Sequence, residues 1–529
     1  RLCNLVVKRL SNAKGPRVKD DNSQATAQTA DAVETLPRRR RMRWWGWLLT
    51  ILGTLLCMAV SAWFGWGAVG QRRLDELAAE IRSRGEPLDW KDLAGPPVPD
   101  DQNAVSLYVR AGEELSGPKG RYSAADVERL MELLENVVGD PTFRREHRAE
   151  VAQLLEIARD SLALLPQAAA RPSADFGTDF RDSAANWKLP RLSGILRLAN
   201  VSALWAVEAH EAGREAEALT TVGHVLRLAR CMGRGPGVIC NLVSMHIGRQ
   251  AMEALEQMVS RPPAAPLEPA SARQARAVIA DLLDEAPARQ AWRQALMIER
   301  SSQYDIFERM RRGETVLWGQ EPFRQYGIPT WVTGPLLAWG ELHCVKATTS
   351  LLEGAKETTY PAALRKMDDG PDSYQALRRL AQEGEGSLAY RVAFILFPAI
   401  DVDVHYEHLA RRRLAATGLA MRLYELEKGK PVAALADLVA GGYLKAVPAD
   451  PFSNKGEPIC LKADPKQPLL YSVGKNGLDE DGAFTLDADG RVSRDSPDVV
   501  FFLHGDRPAG KVIWREPKRP ATSATKPRP

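Results

Sequence analysis

WWGWLLTILGTLLCMAVSAWFGWGAVG, residues 44–70, runs for 27 positions without a charged side chain, and Arg38, Arg39, Arg40, Arg41 and Arg43 stand directly before it. A helix that spans a bilayer needs about 20 apolar residues. Trp44, Trp45, Trp47, Trp63 and Trp66 cluster towards the two ends of the run, where indole rings favour the membrane interface. The stretch predicts a single transmembrane helix. Five arginines precede it, against Arg72, Arg73, Arg82 and Arg84 after it. The nearly contiguous set before the span places the N-terminus in the cytoplasm and the bulk of the chain outside it. Ala59 and Ser61 loosely resemble a cleavage site, but the apolar run exceeds the roughly 7–15 residues of a signal-peptide core, so the expectation is an uncleaved anchor.

Gly46, Thr50, Gly53, Cys57, Ser61 and Gly65 recur three or four positions apart and form one stripe of small residues along the span. Such stripes let two helix backbones approach closely in lipid, which predicts a homodimer through this helix, with the lipid bilayer as the other partner.

The rest of the chain bounds the function. A net charge of +4 over 529 residues is too small for a nucleic-acid partner. Six cysteines are too few for a disulfide scaffold. Cys231, Cys240, Cys344 and Cys460 fall on the oxidising side, where pairing is permitted but not demanded.

Six segments follow from composition and period. Residues 1–43 read as a disordered basic cytoplasmic segment. Residues 44–70 are the transmembrane helix, and 71–103 a connector ending in GEPLDWKDLAGPPVPDDQN. Residues 104–400 have helical period, as in Val127, Leu130, Leu134 and Val137, and predict an extracytoplasmic α-helical bundle or array. Breaks fall at Gly139–Pro141, Arg171–Pro172, Gly235–Gly237, Arg261–Pro269 and Gly327–Pro329. Residues 198–232 predict a helical hairpin turning at Gly213. Its Gly213-Arg-Glu-Ala-Glu-Ala218 resembles the turn of a tetratricopeptide unit, but no second copy recurs at the 34-residue period. The aromatic segment Trp318, Phe323, Tyr326, Trp331 and Trp339 is expected to fill a core under a loop. From 401 the character changes: a strong helix over 405–428, then strand-like runs at 458–463, 469–473, 483–486 and 498–503 with Asn-Gly and Asp-Gly turns. This predicts a small C-terminal α+β module over 401–505, followed by a disordered tail, 506–529. The fold class is mainly α.

Several residues of this module carry a resemblance. Tyr424 and Lys428-Gly429 end the long helix. Leu435, Leu438, Tyr443 and Leu444 follow, then Pro448, Asp450, Pro451 and Phe452, then Tyr471-Ser-Val-Gly-Lys-Asn-Gly477, and Asp498-Val499. In order and as a set they resemble the globular end of the major pseudopilins of type II secretion. The whole chain resembles large membrane-anchored proteins of planctomycete type. The resemblance implies a calcium ion in the loop after the Tyr-Ser strand, held by Asp479, Asp481 and Asp498. An insertion, AFTLDADGRVSRDSP at 483–497, departs from the family pattern. So does the separation of more than 300 residues between membrane helix and module, which excludes assembly as an ordinary pseudopilin.

Enzyme motifs fail on inspection. Gly505 to Lys511 fits a P-loop until Val512, where Ser or Thr should hold Mg²⁺. Gly233, Gly235 and Gly237 follow a helix rather than a strand, so they form no dinucleotide loop. Asp401, Asp403, His405, Glu407 and His408 are the densest metal-capable cluster, but their spacing matches no zinc motif. Asp175, Asp179 and Asp182 read as an exposed acidic loop. The expected function is therefore a non-catalytic binding or scaffolding role at the cell envelope. The alternatives are an accessory component of a type II secretion or pilus-like system, and a metal-dependent envelope enzyme built on the His405/His408 region.

Overall fold

The computed structural model describes residues 39–93, 95–182, 187, 189, 191–261, 268–314, 330–368, 370, 373–383 and 400–508. The expected disordered segments fall largely outside these residues, as do Trp318, Phe323, Tyr326 and the break at 327–329. The chain is mainly helical. It divides into two units, residues 1–62 and 63–529.

The first unit is described over the opening turns of helix α1 (Arg39–Ser83). Its apolar side chains are open, with Trp47 72%, Leu49 66% and Leu52 64% exposed. By length and composition this helix is a candidate membrane anchor or signal sequence. Thr50 and Thr54 donate their hydroxyls to the carbonyls four residues back, at 2.9 and 2.8 Å, so neither needs a solvent partner. A Cβ added at Gly46, Gly53 or Gly65 would meet nothing within 4 Å.

Helix α1 does not stop at residue 70. Residues 71–83, expected in the connector, form its last turns. Leu74, Ala78 and Ile81 recur at helical spacing and are buried with Leu88, Leu342 and Val345. The acidic and basic residues of this stretch therefore turn outward, and the apolar stripe carries the helix into the second unit. Trp339 stacks on Trp66 at 5.5 Å and donates its indole N–H to the Trp66 carbonyl at 2.9 Å. Gly67 and Gly70 allow this approach, since a Cβ there would come within 2.6 Å of Pro335 and 2.8 Å of Trp339.

The body continues as α2 (Trp90–Leu93), α3 (Ala104–Glu113), α4 (Ala124–Gly139), α5 (Pro141–Glu146), α6 (Arg148–Ile157), α7 (Arg159–Ala170), α8 (Leu192–Glu211), α9 (Glu215–Gly233), α10 (Gly237–Ser260), α11 (Pro269–Leu283), α12 (Ala286–Arg312), α13 (Thr330–Gly354), α14 (Tyr360–Met367) and α15 (Tyr374–Glu383). The boundaries have local causes. Ser123 and Asp126 form a capping box at α4. Asp140 caps α5 ahead of Pro141. Gly313 ends α12 in the left-handed conformation. Helices α8 and α9 form the expected hairpin, with Gly213 at φ +77° in its turn.

The C-terminal part comprises α16 (Asp403–Lys428) and α17 (Leu435–Ala440). They are followed by β1 (Cys460–Lys462), β2 (Leu469–Ser472) and β3 (Val499–Phe502). The three strands are antiparallel in the order β1-β2-β3, pairing Cys460 with Tyr471 and Leu469 with Phe502. Asp450 ties the Pro-rich step to the sheet by accepting from Ser472 Oγ at 2.7 Å and Val473 N at 2.8 Å. The run 483–486 is not a strand: Asp487 accepts from Asp489 N and Arg491 N and folds it into a tight turn, leaving one isolated bridge from Leu486 to Val492. Residues 401–505 are also not set apart from the helical body. Leu414, Ala416, Leu419, Leu470 and Phe501 belong to the same core as Val222, Leu255 and Ile279. The five described cysteines, Cys57, Cys231, Cys240, Cys344 and Cys460, are unpaired.

Two glycines give opposite tests of this packing. A Cβ at Gly418 would lie 2.5 Å from the Phe501 ring, whereas at Gly223, inside α9, it would meet nothing within 4 Å. Overpacking costs about 1–3 kcal/mol, and Gly-to-Ala in a helix gains up to about 1 kcal/mol. Gly418→Ala should lower the thermal midpoint of the full chain, and Gly223→Ala should raise it. Both are read by loss of helical circular dichroism.

Candidate functional site

The residues singled out for a metal enzyme do not converge. His405 is buried, stacked on Trp292 at 5.3 Å with the rings 10° from parallel. Burial, with Arg289 nearby, holds its imidazole down at about 3. His408 points to a different neighbour. Gly248 of α10 admits its ring, which would stand 2.7 Å from a Cβ there. Burial and then Arg412 hold it well below the usual histidine range. Asp401 pairs with Arg378 at 2.7 Å and Glu407 with Arg411 at 2.8 Å. Among the described residues no group of three or more His, Cys, Asp or Glu side chains is arranged to hold a metal ion.

The loop singled out for calcium is partly assembled. Asp498 is 1% exposed; its Oδ2 accepts from Ala483 N at 2.9 Å and its Oδ1 has no partner. Asp479 Oδ1 accepts from the Tyr471 hydroxyl at 3.0 Å and from Asp481 N at 2.9 Å. Asp481 turns away to Lys462 at 3.0 Å, from a backbone at φ +56°. The third carboxylate on this side is Glu480, whose buried Oε2 also lacks a partner and which the sequence did not single out. The two orphaned oxygens suit a hard cation that takes oxygen ligands. The set expected from the sequence does not close as one group, because Asp481 leaves it. The acidic loop at Asp175 and Asp179 is held by backbone donors, Gly177 N and Arg181 N, at 2.8 and 3.0 Å.

The structure instead builds a cleft that sequence reading missed. It lies between α10, the start of α16 and the insertion that precedes β3. Its volume is about 530 Å³. Along α10, Val238, Leu242 and Met245 line one half and His246 and Arg249 the other, at helical spacing. Ile400, Val404, Glu407, His408 and Arg411 face them, Glu299 lies at the side, and Arg494 comes from the insertion. A second, polar cavity of about 320 Å³ shares His246, Arg249, Arg411 and Arg494 and adds Asn200, Glu253, Glu256, Arg491 and Arg507. The shared basic residues thus stand at a junction, with apolar walls on one side and polar walls on the other.

Charge at the junction is unevenly balanced. Burial opposes ionisation of Glu407, but Arg411 outweighs it and holds the carboxyl below its usual range. Arg249 approaches Glu253 at 3.7 Å and His246 Nδ1 at 3.2 Å. Glu256 is engaged by Phe502 N at 2.7 Å and Arg507 at 3.0 Å. Burial raises Glu299 to about 7. Among the described residues Arg494 forms no close ion pair, and its charge adds to that of Arg411 in holding Glu407 down. The signals that could have found the cleft were the switch along one face of α10 from Val238 and Leu242 to Arg249, and the Arg491-x-x-Arg494 spacing inside an insertion.

Compared with known protein families, characterised proteins and solved structures, the chain finds no match.

Asp498 gives a pH test. Burial pushes its carboxyl up to about 7, against the Ala483 hydrogen bond and with help from the Glu480 and Asp479 charges. A carboxyl raised in the folded state contributes stability that is complete below its unfolded value near 4 and is lost as pH rises through about 7. Asp498→Asn keeps the acceptor for Ala483 N but cannot ionise. Its thermal midpoint should fall less than the parent's between pH 5 and pH 8. Parallel curves would show that Asp498 does not titrate in this window.

Proposed function

We propose that the chain is a single-pass membrane protein, N-terminus in the cytoplasm, whose extracytoplasmic body binds a ligand in the cleft between α10 and α16 and performs no chemistry of its own. The observation that supports a binding role is the junction itself. Arg249, Arg411 and Arg494 come from three separate elements and meet between an apolar and a polar cavity. Pockets of this size that combine apolar walls with a few convergent polar groups are the usual form of a ligand site. The anchor reading rests on the exposed apolar turns of α1 and on the arginines before them. In membranes, the protein should resist carbonate extraction. A reporter active only outside the cytoplasm should be active when fused to its C-terminal end. A soluble form beginning near Ala62, or an inactive reporter on a membrane-held protein, overturns the topology.

A second reading is favoured by the ordered set from Tyr424 to Asp498: an accessory component of a secretion or pilus-like system, with the C-terminal part docking on pseudopilins and holding calcium. The orphaned oxygens of Asp498 and Glu480 support a cation there. Extracellular calcium modules bind at about 10⁻⁴–10⁻³ M, and a ligand at ten times its Kd stabilises by about 1.4 kcal/mol. The full chain in lipid nanodiscs should melt a few degrees higher in 5–10 mM (order of magnitude) calcium than in chelator. Asp498→Asn should remove the difference. Identical melting of the parent in both conditions removes the calcium reading.

A further inference from the structure

The cleft has a division of labour that narrows its ligand. At one end, Ile239 and Leu242 are 57% and 41% exposed, and they lead into walls formed by Val238, Met245, Ile400 and Val404. At the other end stand the arginines. Arg411 is matched by Glu407, and Arg249 faces Glu253. Asp401, also in the lining, pairs with Arg378. Arg494 stands on an exposed turn at the mouth, and its charge adds to that of Arg411 on Glu407. Among the described residues the three arginines thus face two carboxylates, Glu407 and Glu253, and the guanidinium at the mouth can meet a carboxylate or phosphate with two parallel hydrogen bonds. That excess of one cation beside an apolar wall matches one negative charge on an apolar body. A small inorganic anion would leave the apolar half wet. A neutral lipid would leave Arg494 unmatched and would displace its water without replacing those hydrogen bonds. The volume, about 530 Å³, suits one small-molecule ligand.

We propose that this cleft binds a single-chain amphipathic anion, an alkyl chain ending in a carboxylate or phosphate, with its head at Arg494 and Arg249 and its chain along Val238, Leu242 and Met245. The inference rests on the reading of the cleft as a ligand site, and names the class of ligand. Two features follow from the physics. Affinity should rise about fourfold for each methylene buried. It should also require the charge, because a hydrogen bond to a charged partner is worth about tenfold or more in affinity.

The test uses the full chain in lipid nanodiscs, titrated by calorimetry with matched empty nanodiscs subtracted. The probes are hexanoate, octanoate, octyl phosphate, octanol, acetate, inorganic phosphate and a tripeptide of apolar residues with a free carboxylate. Octanoate and octyl phosphate should bind saturably at one site, and the tighter of the two identifies the head group. Hexanoate should bind about fifteenfold more weakly than octanoate. Octanol and acetate should each be weaker than octanoate by tenfold or more. Arg494→Gln, at an exposed position outside the core, should weaken octanoate about tenfold without changing circular dichroism. Leu242→Asp should weaken octanoate while leaving acetate unchanged. Octanol binding as tightly as octanoate overturns the proposal, and so does an unchanged octanoate affinity in Arg494→Gln. If the tripeptide or inorganic phosphate binds more tightly than octanoate, and does so through Arg494, the ligand class is wrong and the cleft stays a ligand site. If no probe gives saturable heat, both readings fall.

Discussion

Three consecutive arginines on α16 hold the body together. Successive helix residues point about 100° apart, so Arg411, Arg412 and Arg413 face three different neighbours. Arg411 pairs with Glu407 at 2.8 Å, at the cleft. Arg412, 4% exposed, donates to the carbonyls of Asp281, Leu282 and Asp284 at 2.7, 3.0 and 3.0 Å. It thereby satisfies the open C-terminal end of α11, where a cation also complements the helix dipole. Arg413 makes a two-pronged pair with Glu285 at 2.6 and 2.8 Å. Burying a guanidinium is expensive unless its hydrogen bonds are met, so these partners decide where α16 can lie. The C-terminal part is consequently built on the helical body. Separating it would strand the α11 carbonyls and a buried cation together.

The same constraint shapes the cleft. With Arg412 and Arg413 committed to α11 and Glu285, α16 presents Val404, Glu407 and Arg411 towards α10. Gly248 then lets the His408 ring close the interface from the α10 side. The floor of the cleft is therefore set by core packing, while its mouth carries the insertion with Arg494. A site with a fixed floor and a loop at its rim can vary the loop at little cost to stability.

Much of the architecture was legible in the sequence, for physical reasons that differ by region. The apolar run 44–70 declares itself through length and absence of charge. The helix ends at Gly139 and Ser260 were announced by Gly and Pro, which stop helices locally. The strands at 469 and 499 were marked by dense apolar side chains between turns. The end of α1 was misplaced because charge alone was weighed at Arg72 and Arg73, while the stripe Leu74, Ala78 and Ile81 continued beneath it. The third of the four strand-like runs was misread because Thr485 and Leu486 alternate like a strand, yet Asp487 captures the following amides. The cleft was not legible, since its walls come from residues more than 100 positions apart. The run Arg411-Arg412-Arg413 looks like a solvated face until its three partners are known. The candidates at 401–408 are not gathered as one ligand group among the described residues: Asp401, Glu407 and His408 line the cleft, with both carboxylates taken by Arg378 and Arg411, while His405 is buried against Trp292.

The buried ionisable groups finally set how this body answers pH. Burial raises Glu299 and Asp498 to about 7 and Glu341, despite Arg311, to about 8. It lowers His405 to about 3 and His408 well below its usual range. The raised acids lose their stabilising contribution as pH climbs from about 4 to about 8. The lowered histidines give up theirs as pH falls below about 6.5. From pH 4.5 to 6.5 the two sets pull in opposite directions and largely offset each other. Above about 6.5 His405 and His408 are neutral in both folded and unfolded states, and the raised acids still respond. His210 joins them, because burial lowers it but Glu215 outweighs burial and holds the imidazole above its usual range, so its contribution too is lost as pH rises. The loss of stability is therefore concentrated between about pH 6.5 and 8, where enclosed carboxyls and one paired histidine release their protons together.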